Sequence, residues 1–337
     1  MADRLLTLIS LCLVLAGCMP SSCSRTESRD ISASDSLSRA YATGLPVDTL
    51  VLDRTTPPDA FDHPRTVAFL DDGRLAVSDV ERNEITLLAP DGSVVAIHGL
   101  ASRLPGGIPY IAGVAGDTIF VFGAGDNVVA SIAGGRILHS FALEPGDASS
   151  ALRYVTADAT GAWVKSVDPD RAATISRYEN GGRTGALRLR GPYWSHAGPL
   201  IGGEASVLSM RGYVPAYTTV DRALVADSTA LHGFDSPMLA RMRTFEAGGV
   251  RSPPLLIPAA TLLDDRLFLI NARPGWLRVD VYESGRLEAI LIEPNPRFDQ
   301  SFYPTDIAAR ADGNGIRIAV SSSQPEPVVR LFTWRPR

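Results

Sequence analysis

The chain has 337 residues, 45% of them hydrophobic, and a formal net charge of −5. This length can hold one large repeat fold as readily as two ordinary domains. The acidic balance and the lack of any basic cluster argue against a nucleic-acid partner.

The N-terminal residues 1–17 have the pattern of an export signal. Arg4 supplies a positive charge, residues 5–16 form an apolar run too short to span a bilayer, and the sequence Leu15-Ala16-Gly17-Cys18 follows. These four residues resemble the bacterial lipobox, in which the cysteine is diacylated and becomes the first residue of the mature protein. The alternative is an ordinary secretory signal that is cleaved nearby.

The lipobox resemblance implies a subcellular location and a partner. It predicts a protein of the cell envelope whose partner is the lipid bilayer, reached through the acylated Cys18. Several acyl chains anchor a protein far more stably than one. Met19 stands where an Asp would resemble an inner-membrane retention signal, so we expect the outer membrane in a cell that has one.

Residues 18–44 are rich in Ser, Thr, Asp, Glu and Arg and have few large apolar side chains. Such a composition cannot bury enough surface to offset the entropy of ordering, so it predicts a flexible tether. With Cys12 in the signal and Cys18 acylated, Cys23 has no partner for a disulfide. The folded domain, predicted at residues 45–337, must therefore be stable through its core alone.

Residues 63–99 contain four short apolar segments separated by turns. The segments are Thr66–Leu70, Arg74–Ser78, Glu84–Ala89 and Val94–His98. They are rich in Val, Ile, Leu and Thr, and the Asp-Gly pairs at 72–73 and 91–92 favour tight turns. The pattern predicts a four-stranded antiparallel meander, which is too small to bury both of its faces without stacking on similar sheets.

This stretch resembles the NHL-type repeat. The resemblance rests on Pro64, on the run Asp72-Gly73-Arg74-Leu75-Ala76-Val77-Ser78-Asp79, on Asn83 and Ile85, and on Pro90-Asp91-Gly92. It covers one meander well and the rest of the chain only in outline. Proteins of this family form β-propellers, so the resemblance implies a fold much more than a function.

Five further meanders follow at nearly constant spacing. Their first strands are predicted to start at Pro109, Arg153, Pro199, Ile257 and Pro304, which gives steps of 45, 44, 46, 58 and 47 residues from Pro64 onwards. Such spacing is typical of a propeller or a solenoid. The fold class predicted is all-β, a six-bladed β-propeller of four-stranded antiparallel blades closed by an N-terminal strand.

The closing strand and one helix complete the predicted architecture. The sixth meander offers only three strands, so the alternating segment Val47–Leu52 is expected to lie outermost beside Val328–Trp334. The 58-residue step contains Ser236-Pro237 followed by residues 238–245. Ser is a favoured N-cap and Pro a favoured first residue, so a short helix is expected on the face where one blade connects to the next.

A search for catalytic motifs is negative. The sequence contains no nucleophile elbow, no zinc-protease motif, no Cys-x-x-Cys pair and no phosphate-binding loop. The five histidines are scattered singly, and acid pairs such as Asp71-Asp72 fit turns better than metal sites. We therefore predict no cofactor and no metal site.

One set of candidate ligand-binding side chains is far apart in the sequence and would be brought together only by the predicted fold. Residues at the start of each innermost strand should meet at one end of the central channel, where aromatic rings with Arg and His suit a polar or anionic ligand. The predicted ligand-binding residues are Arg65, Arg153, Trp194, His196 and Tyr303. The alternative is that these residues simply pack and pair between neighbouring blades.

Two classes of function remain open. We favour a membrane-anchored, non-catalytic module that binds a small polar ligand or an unidentified envelope protein. The alternative is a metal-dependent hydrolase or lyase that resembles the propeller lactonases. The enzyme requires at least three Asp, Glu, His or Asn side chains that converge on the channel axis.

Overall fold

A computed structural model describes residues 36, 40, 42–45, 47–57, 59–169, 172–203, 205–273, 276–293 and 303–336. The predicted export signal, Cys18 and most of the predicted tether lie outside these residues. No helix within the described ranges is long and apolar enough to cross a membrane.

The described chain is a six-bladed β-propeller. The strands of the first three blades are β3 (Pro64–Phe69), β4 (Leu75–Asp79), β5 (Glu84–Leu88), β6 (Val94–Gly99), β7 (Pro109–Ala115), β8 (Thr118–Gly123), β9 (Val128–Ala133), β10 (Arg136–Ala142), β11 (Leu152–Asp158), β12 (Gly161–Asp168), β13 (Ala172–Glu179) and β14 (Gly182–Arg188). The strands of the last three are β15 (Leu200–Gly202), β16 (Ser206–Arg211), β17 (Ala216–Asp221), β18 (Ala226–Ala230), β19 (Ala260–Leu263), β20 (Arg266–Ile270), β21 (Arg278–Glu283), β22 (Arg286–Ile292), β23 (Tyr303–Asp312), β24 (Gly315–Gln324) and β25 (Val328–Trp334). The predicted fold class and the order of the blades are confirmed.

The turns of the first blade follow the Asp-Gly chemistry predicted for them. Gly73 and Gly92 have φ of 90° and 82°, a region in which glycine is favoured. The carboxylates of Asp72 and Asp91 accept hydrogen bonds from the backbone N–H two residues later, at 3.0 and 2.9 Å. These turns fix the pairing of β3 with β4 and of β5 with β6.

The blades pack face to face around a ring. The described residues form six hydrophobic clusters, and each cluster draws its buried side chains from two adjacent blades. The first strand of every blade contacts the first strand of the next, and β23 contacts β3. At Gly113, on β7, a Cβ atom would lie 2.1 Å from the carbonyl oxygen of Ala157, so only glycine allows blades two and three to approach this closely.

The ring is closed by the N-terminal segment, but not as a single strand. Residues Val47–Thr49 form β1, which pairs in parallel with β22 of blade five, and residues Val51–Thr55 form β2, which pairs antiparallel with β25 of blade six. Between them, Leu50 is fully buried in the cluster shared by blades five and six. The predicted pairing of Val47–Leu52 with Val328–Trp334 thus holds only from Val51 onwards, because insertion of Leu50 into the core moves the chain from one blade to the next.

Within the described ranges, two short α-helices and the 3-10 turn Tyr193–His196 lie in the links between blades. Helix α1 (Pro145–Ala148) precedes blade three, and helix α2 (Met238–Glu246) lies in the long link that precedes blade five. The helix predicted after Ser236-Pro237 is confirmed, but it begins at Met238 with Pro237 at the N-cap position, one residue later than expected. The Ser236 hydroxyl accepts a hydrogen bond from the Met238 N–H at 3.2 Å. Leu239 and Met242 bury the inner face of α2 against blades four and five.

Candidate functional site at the channel mouth

The candidate site lies at the end of the channel where the innermost strands begin, called here the channel mouth. The loops between the second and third strands of the blades end on the same face. The side chains that the structure brings into electrostatic range of one another are Arg65, Tyr110, Tyr154, Tyr193, Tyr213 and Tyr303. The mouth is therefore predominantly a tyrosine surface with a guanidinium group in it.

Arg65 lies half-buried at the start of β3. Its guanidinium carbon is 6.0 Å from the centre of the Tyr110 ring, within the range of a cation–π contact. Its N–H groups donate no hydrogen bond to any residue that the structure describes. A guanidinium group whose planar N–H donors are not used by the fold is suited to bind a carboxylate in bidentate fashion.

Two phenol groups of the mouth, those of Tyr154 and Tyr213, are kept neutral by burial. Burial raises the pKa of Tyr154 to about 12, and the Tyr154 hydroxyl hydrogen-bonds with the backbone of Gly198. Burial also raises the pKa of Tyr213. Neutral phenols both donate and accept hydrogen bonds, so these groups add polar contacts without adding charge.

Lys165, the single lysine of the chain, forms the wall behind Tyr154. It is fully buried, and its ammonium group donates to the Met210 carbonyl at 3.0 Å and to the Ser209 hydroxyl at 3.1 Å. The same nitrogen lies 4.9 Å from the centre of the Tyr154 ring. Desolvation by burial lowers the pKa of Lys165 well below its ordinary value. Lys165 is not among the predicted site residues, although a lone lysine inside the apolar strand Trp163–Val167 was a usable signal.

His196, a predicted ligand-binding residue, is buried in the link before blade four. Its Nε2 lies 2.7 Å from the carbonyl oxygen of Arg190 and must donate the proton of that hydrogen bond. Its Nδ1 has no hydrogen-bond partner among the described residues. Burial lowers the pKa of His196 to about 4, so the ring is neutral at physiological pH. These contacts hold the link in place and leave the ring little access to a ligand.

Arg153 is occupied by contacts within the fold. Its guanidinium group donates to the Ala148 carbonyl, and through Nη2 to the Ala124 carbonyl at 3.5 Å. Its guanidinium carbon also lies 5.9 Å from the centre of the Phe122 ring in blade two. These contacts tie blade three to blade two and to α1, as the packing alternative expects of such a residue.

The other two predicted residues differ in surroundings. Trp194 packs edge-to-face against Phe245 of α2, with the ring centres 5.2 Å apart, and so helps to fix the inserted helix on this face. Tyr303 is 49% exposed at the start of blade six. Of the five predicted ligand-binding residues, Arg65 and Tyr303 thus present groups to the mouth that the fold does not engage elsewhere.

Asp306 is an acid that interacts electrostatically with Arg65. It lies on β23, and its carboxylate accepts a hydrogen bond from the Val67 N–H at 2.9 Å, which links blade six to blade one. Desolvation among the inner strands raises the pKa of Asp306 to about 7, although the backbone N–H groups of Val67 and Ile307 and the nearby Arg65 favour its ionised form. The charge of the mouth therefore changes near neutral pH.

Among the described residues, no group of three or more His, Cys, Asp or Glu side chains is arranged to hold a metal ion. Asp306 and His196 are both engaged by backbone groups. The donors that the described mouth offers are phenols and a guanidinium group.

Comparison with known proteins supports the fold and goes no further. No protein-family model matches the sequence, and no curated protein matches it either. Among solved structures, the chain resembles virginiamycin B lyase from Staphylococcus aureus, with 14% identity and a TM-score of 0.51 over 83% of this chain and 98% of that one. It also resembles the calcium-binding protein regucalcin from Agrobacterium tumefaciens, with 13% identity and a TM-score of 0.54 over 87% and 96%. At such low identity these likenesses establish a six-bladed β-propeller.

Proposed function

We propose that this protein is an envelope-anchored β-propeller that binds a small anionic ligand at its channel mouth. The observation that carries the proposal is Arg65, whose guanidinium group lies over Tyr110 with none of its N–H groups bonded to a described residue. Arg211, whose Nε donates to the Ser195 carbonyl, adds positive charge beside the link before blade four, where it lowers the pKa of His196. A half-buried cation that the fold leaves without a hydrogen-bond partner favours binding of an anion.

The test is a calorimetric titration with acetate, phosphate and benzoate. The wild-type chain should bind at least one of them, and Arg65→Ala should weaken that binding by about 1.5–3 kcal/mol, the usual value of a charged hydrogen bond. Arg65→Lys should restore only part of the affinity, because an ammonium group lacks the planar pair of donors. Arg136→Ala, at an exposed arginine on the outer strand of blade two, is the charge-matched control and should bind as the wild type does.

The proposal fails if none of the three anions binds, or if Arg65→Ala and Arg136→Ala weaken binding equally. The second result would mean that the net charge of the protein, and not the mouth, attracts the anion.

The pH dependence of binding follows from Asp306. Its pKa of about 7 means that the carboxyl is neutral below this pH and carries a negative charge beside Arg65 above it. Acetate affinity should therefore fall as the pH rises from about 6 to about 8, a range in which acetate stays ionised. His196, with a pKa of about 4, stays neutral throughout. Asp306→Asn should remove most of this dependence, and an equal slope in that variant would show that another group is responsible.

The anchoring part of the proposal rests on Leu15-Ala16-Gly17-Cys18 after an apolar run. Cys18 is then the acylated residue, and the bilayer of the envelope, the outer membrane in a diderm cell, is the partner that it reaches. Mass spectrometry of the mature protein should show residues 1–17 removed and acyl chains on Cys18, and Cys18→Ser should accumulate as the unlipidated precursor. An unmodified Cys18 in the mature wild-type protein would contradict this assignment.

The NHL-type assignment of the repeats is part of the same proposal and is supported by the pattern of residues 64–92. For the alternative, a metal-dependent hydrolase or lyase, the described residues offer no specific supporting observation.

A further inference from the structure

The channel mouth has two layers of aromatic side chains. Tyr110, Tyr154 and Tyr213 are half-buried beside the inner strands. Tyr193 and Tyr303 are 39% and 49% exposed and approach from the link before blade four and from the start of blade six. Both exposed tyrosines are within electrostatic range of Tyr213, and the nearby Thr305 hydroxyl donates to the Pro64 carbonyl at 3.0 Å, which places the start of blade six beside the start of β3.

The exposure of these two rings is unusual among the aromatic residues of the described chain. Tyr193 and Tyr303 are the aromatic residues found among its exposed large apolar side chains, and both lie at the mouth. Aromatic faces left in solvent at a polar entrance offer a stacking surface for a flat or ring-shaped group.

The positive charge of the inner layer indicates that the other end of such a ligand, the end away from the ring, is an anion. Arg65 supplies an unbonded guanidinium group. The buried Lys165 donates its described hydrogen bonds to carbonyl and hydroxyl oxygens and has no carboxylate among those partners. The planar donors of arginine match the two oxygens of a carboxylate in geometry as well as in charge.

We infer that the ligand is a carboxylate carried on a ring, with the carboxylate on Arg65 and the ring against Tyr193 and Tyr303. This inference rests on the proposed function and specifies the chemical class of its ligand. An aromatic acid and an acidic sugar share the required chemistry, since phenol rings stack on aromatic faces and also on the apolar C–H faces of sugars.

The experiment compares ligands that carry a ring and a negative charge with ligands that carry only one of the two. Affinities of the full chain are measured by calorimetry for benzoate, glucuronate, acetate and the neutral benzamide. Benzoate or glucuronate should bind about tenfold or more tightly than acetate, which corresponds to about 1.4 kcal/mol, and benzamide should bind more weakly than benzoate. The tighter binder of the two ring-bearing acids shows whether the ring of the ligand is aromatic or a sugar.

Variants then test whether the tyrosines cause the preference. The double variant Tyr193→Ala/Tyr303→Ala should reduce the advantage of the ring-bearing acid over acetate to about threefold or less. Leu138→Ala, at an apolar side chain 63% exposed on the outer strand of blade two, is the matched control and should leave the advantage unchanged.

The outcomes separate this inference from the proposed function. If acetate binds within a factor of less than about ten of both ring-bearing acids, the ring is not recognised and the inference is overturned, while anion binding at Arg65 stands. If the preference persists in the double tyrosine variant, the inference is overturned as well. If none of the acids binds, the proposed function itself fails.

Discussion

Leu50→Ala is expected to destabilise the whole propeller by about 2–5 kcal/mol, the usual cost of truncating a fully buried leucine. Leu50 is 0% exposed, and its side chain packs in the cluster shared by blades five and six. Its backbone N–H also donates to the Ile292 carbonyl at 2.8 Å, which fixes the point where the segment leaves blade five for blade six. The loss should appear as a lower midpoint of urea unfolding, with a single transition retained.

The neighbouring residue provides the control. Val51→Ala removes a side chain that is 59% exposed and should change the free energy of unfolding by no more than about 0.5 kcal/mol. Deletion of residues 47–55 should be more severe than Leu50→Ala, because it also exposes the backbone edges of blades five and six. If Leu50→Ala and Val51→Ala unfold at the same urea concentration, the N-terminal segment does not close the ring.

The C-terminal end of the predicted tether, residues 18–44, contacts the folded domain. Ala42 and Leu45 pack against the cluster of blades four and five. A deletion of residues 19–42 therefore removes a small core contact, whereas a deletion of residues 19–39 should leave the unfolding free energy unchanged.

Asp79→Ala is expected to cost about 3 kcal/mol or more. The side chain of Asp79 is fully buried, and its carboxylate accepts hydrogen bonds from the backbone N–H groups of Asp62 at 2.7 Å, His63 at 3.2 Å, Glu81 at 3.0 Å and Arg82 at 3.1 Å. Each donor left without an acceptor costs about 1–3 kcal/mol unless water replaces it. Chemical unfolding measures the loss directly.

Asp91→Ala is the matched control for Asp79. The Asp91 carboxylate also accepts hydrogen bonds, but in an exposed turn and from the backbone N–H and hydroxyl of Ser93. Its removal should cost about 0.5 kcal/mol or less. A cost for Asp79→Ala within about 1 kcal/mol of the control would contradict the role assigned to its carboxylate. Because residues 62 and 63 lead into β3, Asp79→Ala should also disturb the placement of Arg65.

The sequence predicted the blades well because their signals are local. Asp72-Gly73 and Asp91-Gly92 determine turns within four residues, and the spacing of the meanders follows from the order of apolar segments and turns along the chain. The bend at Leu50 could not be predicted in this way. It depends on which blade supplies the space for the leucine side chain, and that space exists only once blades five and six are packed together.

The same distinction explains the outcome for the predicted site. Arg65 and Arg153 occupy similar positions at the starts of the innermost strands of blades one and three, and nothing local separates them. Their difference comes from carbonyl groups of other segments, since Ala124 and Ala148 lie within reach of Arg153. Lys165 was missed for a similar reason, because the acceptors that hold its ammonium group belong to blade four.

The most direct test of anion binding at the mouth is to locate a bound anion in crystals. Crystals of the protein soaked with 4-bromobenzoate should show an anomalous peak from bromine between Tyr193 and Tyr303, with the carboxylate at hydrogen-bonding distance, about 2.7–2.9 Å, from the Arg65 guanidinium group. Crystals of Arg65→Ala should lack this peak under the same soak. A wild-type peak away from the mouth, or a wild-type mouth that stays free of the ligand, would contradict the account.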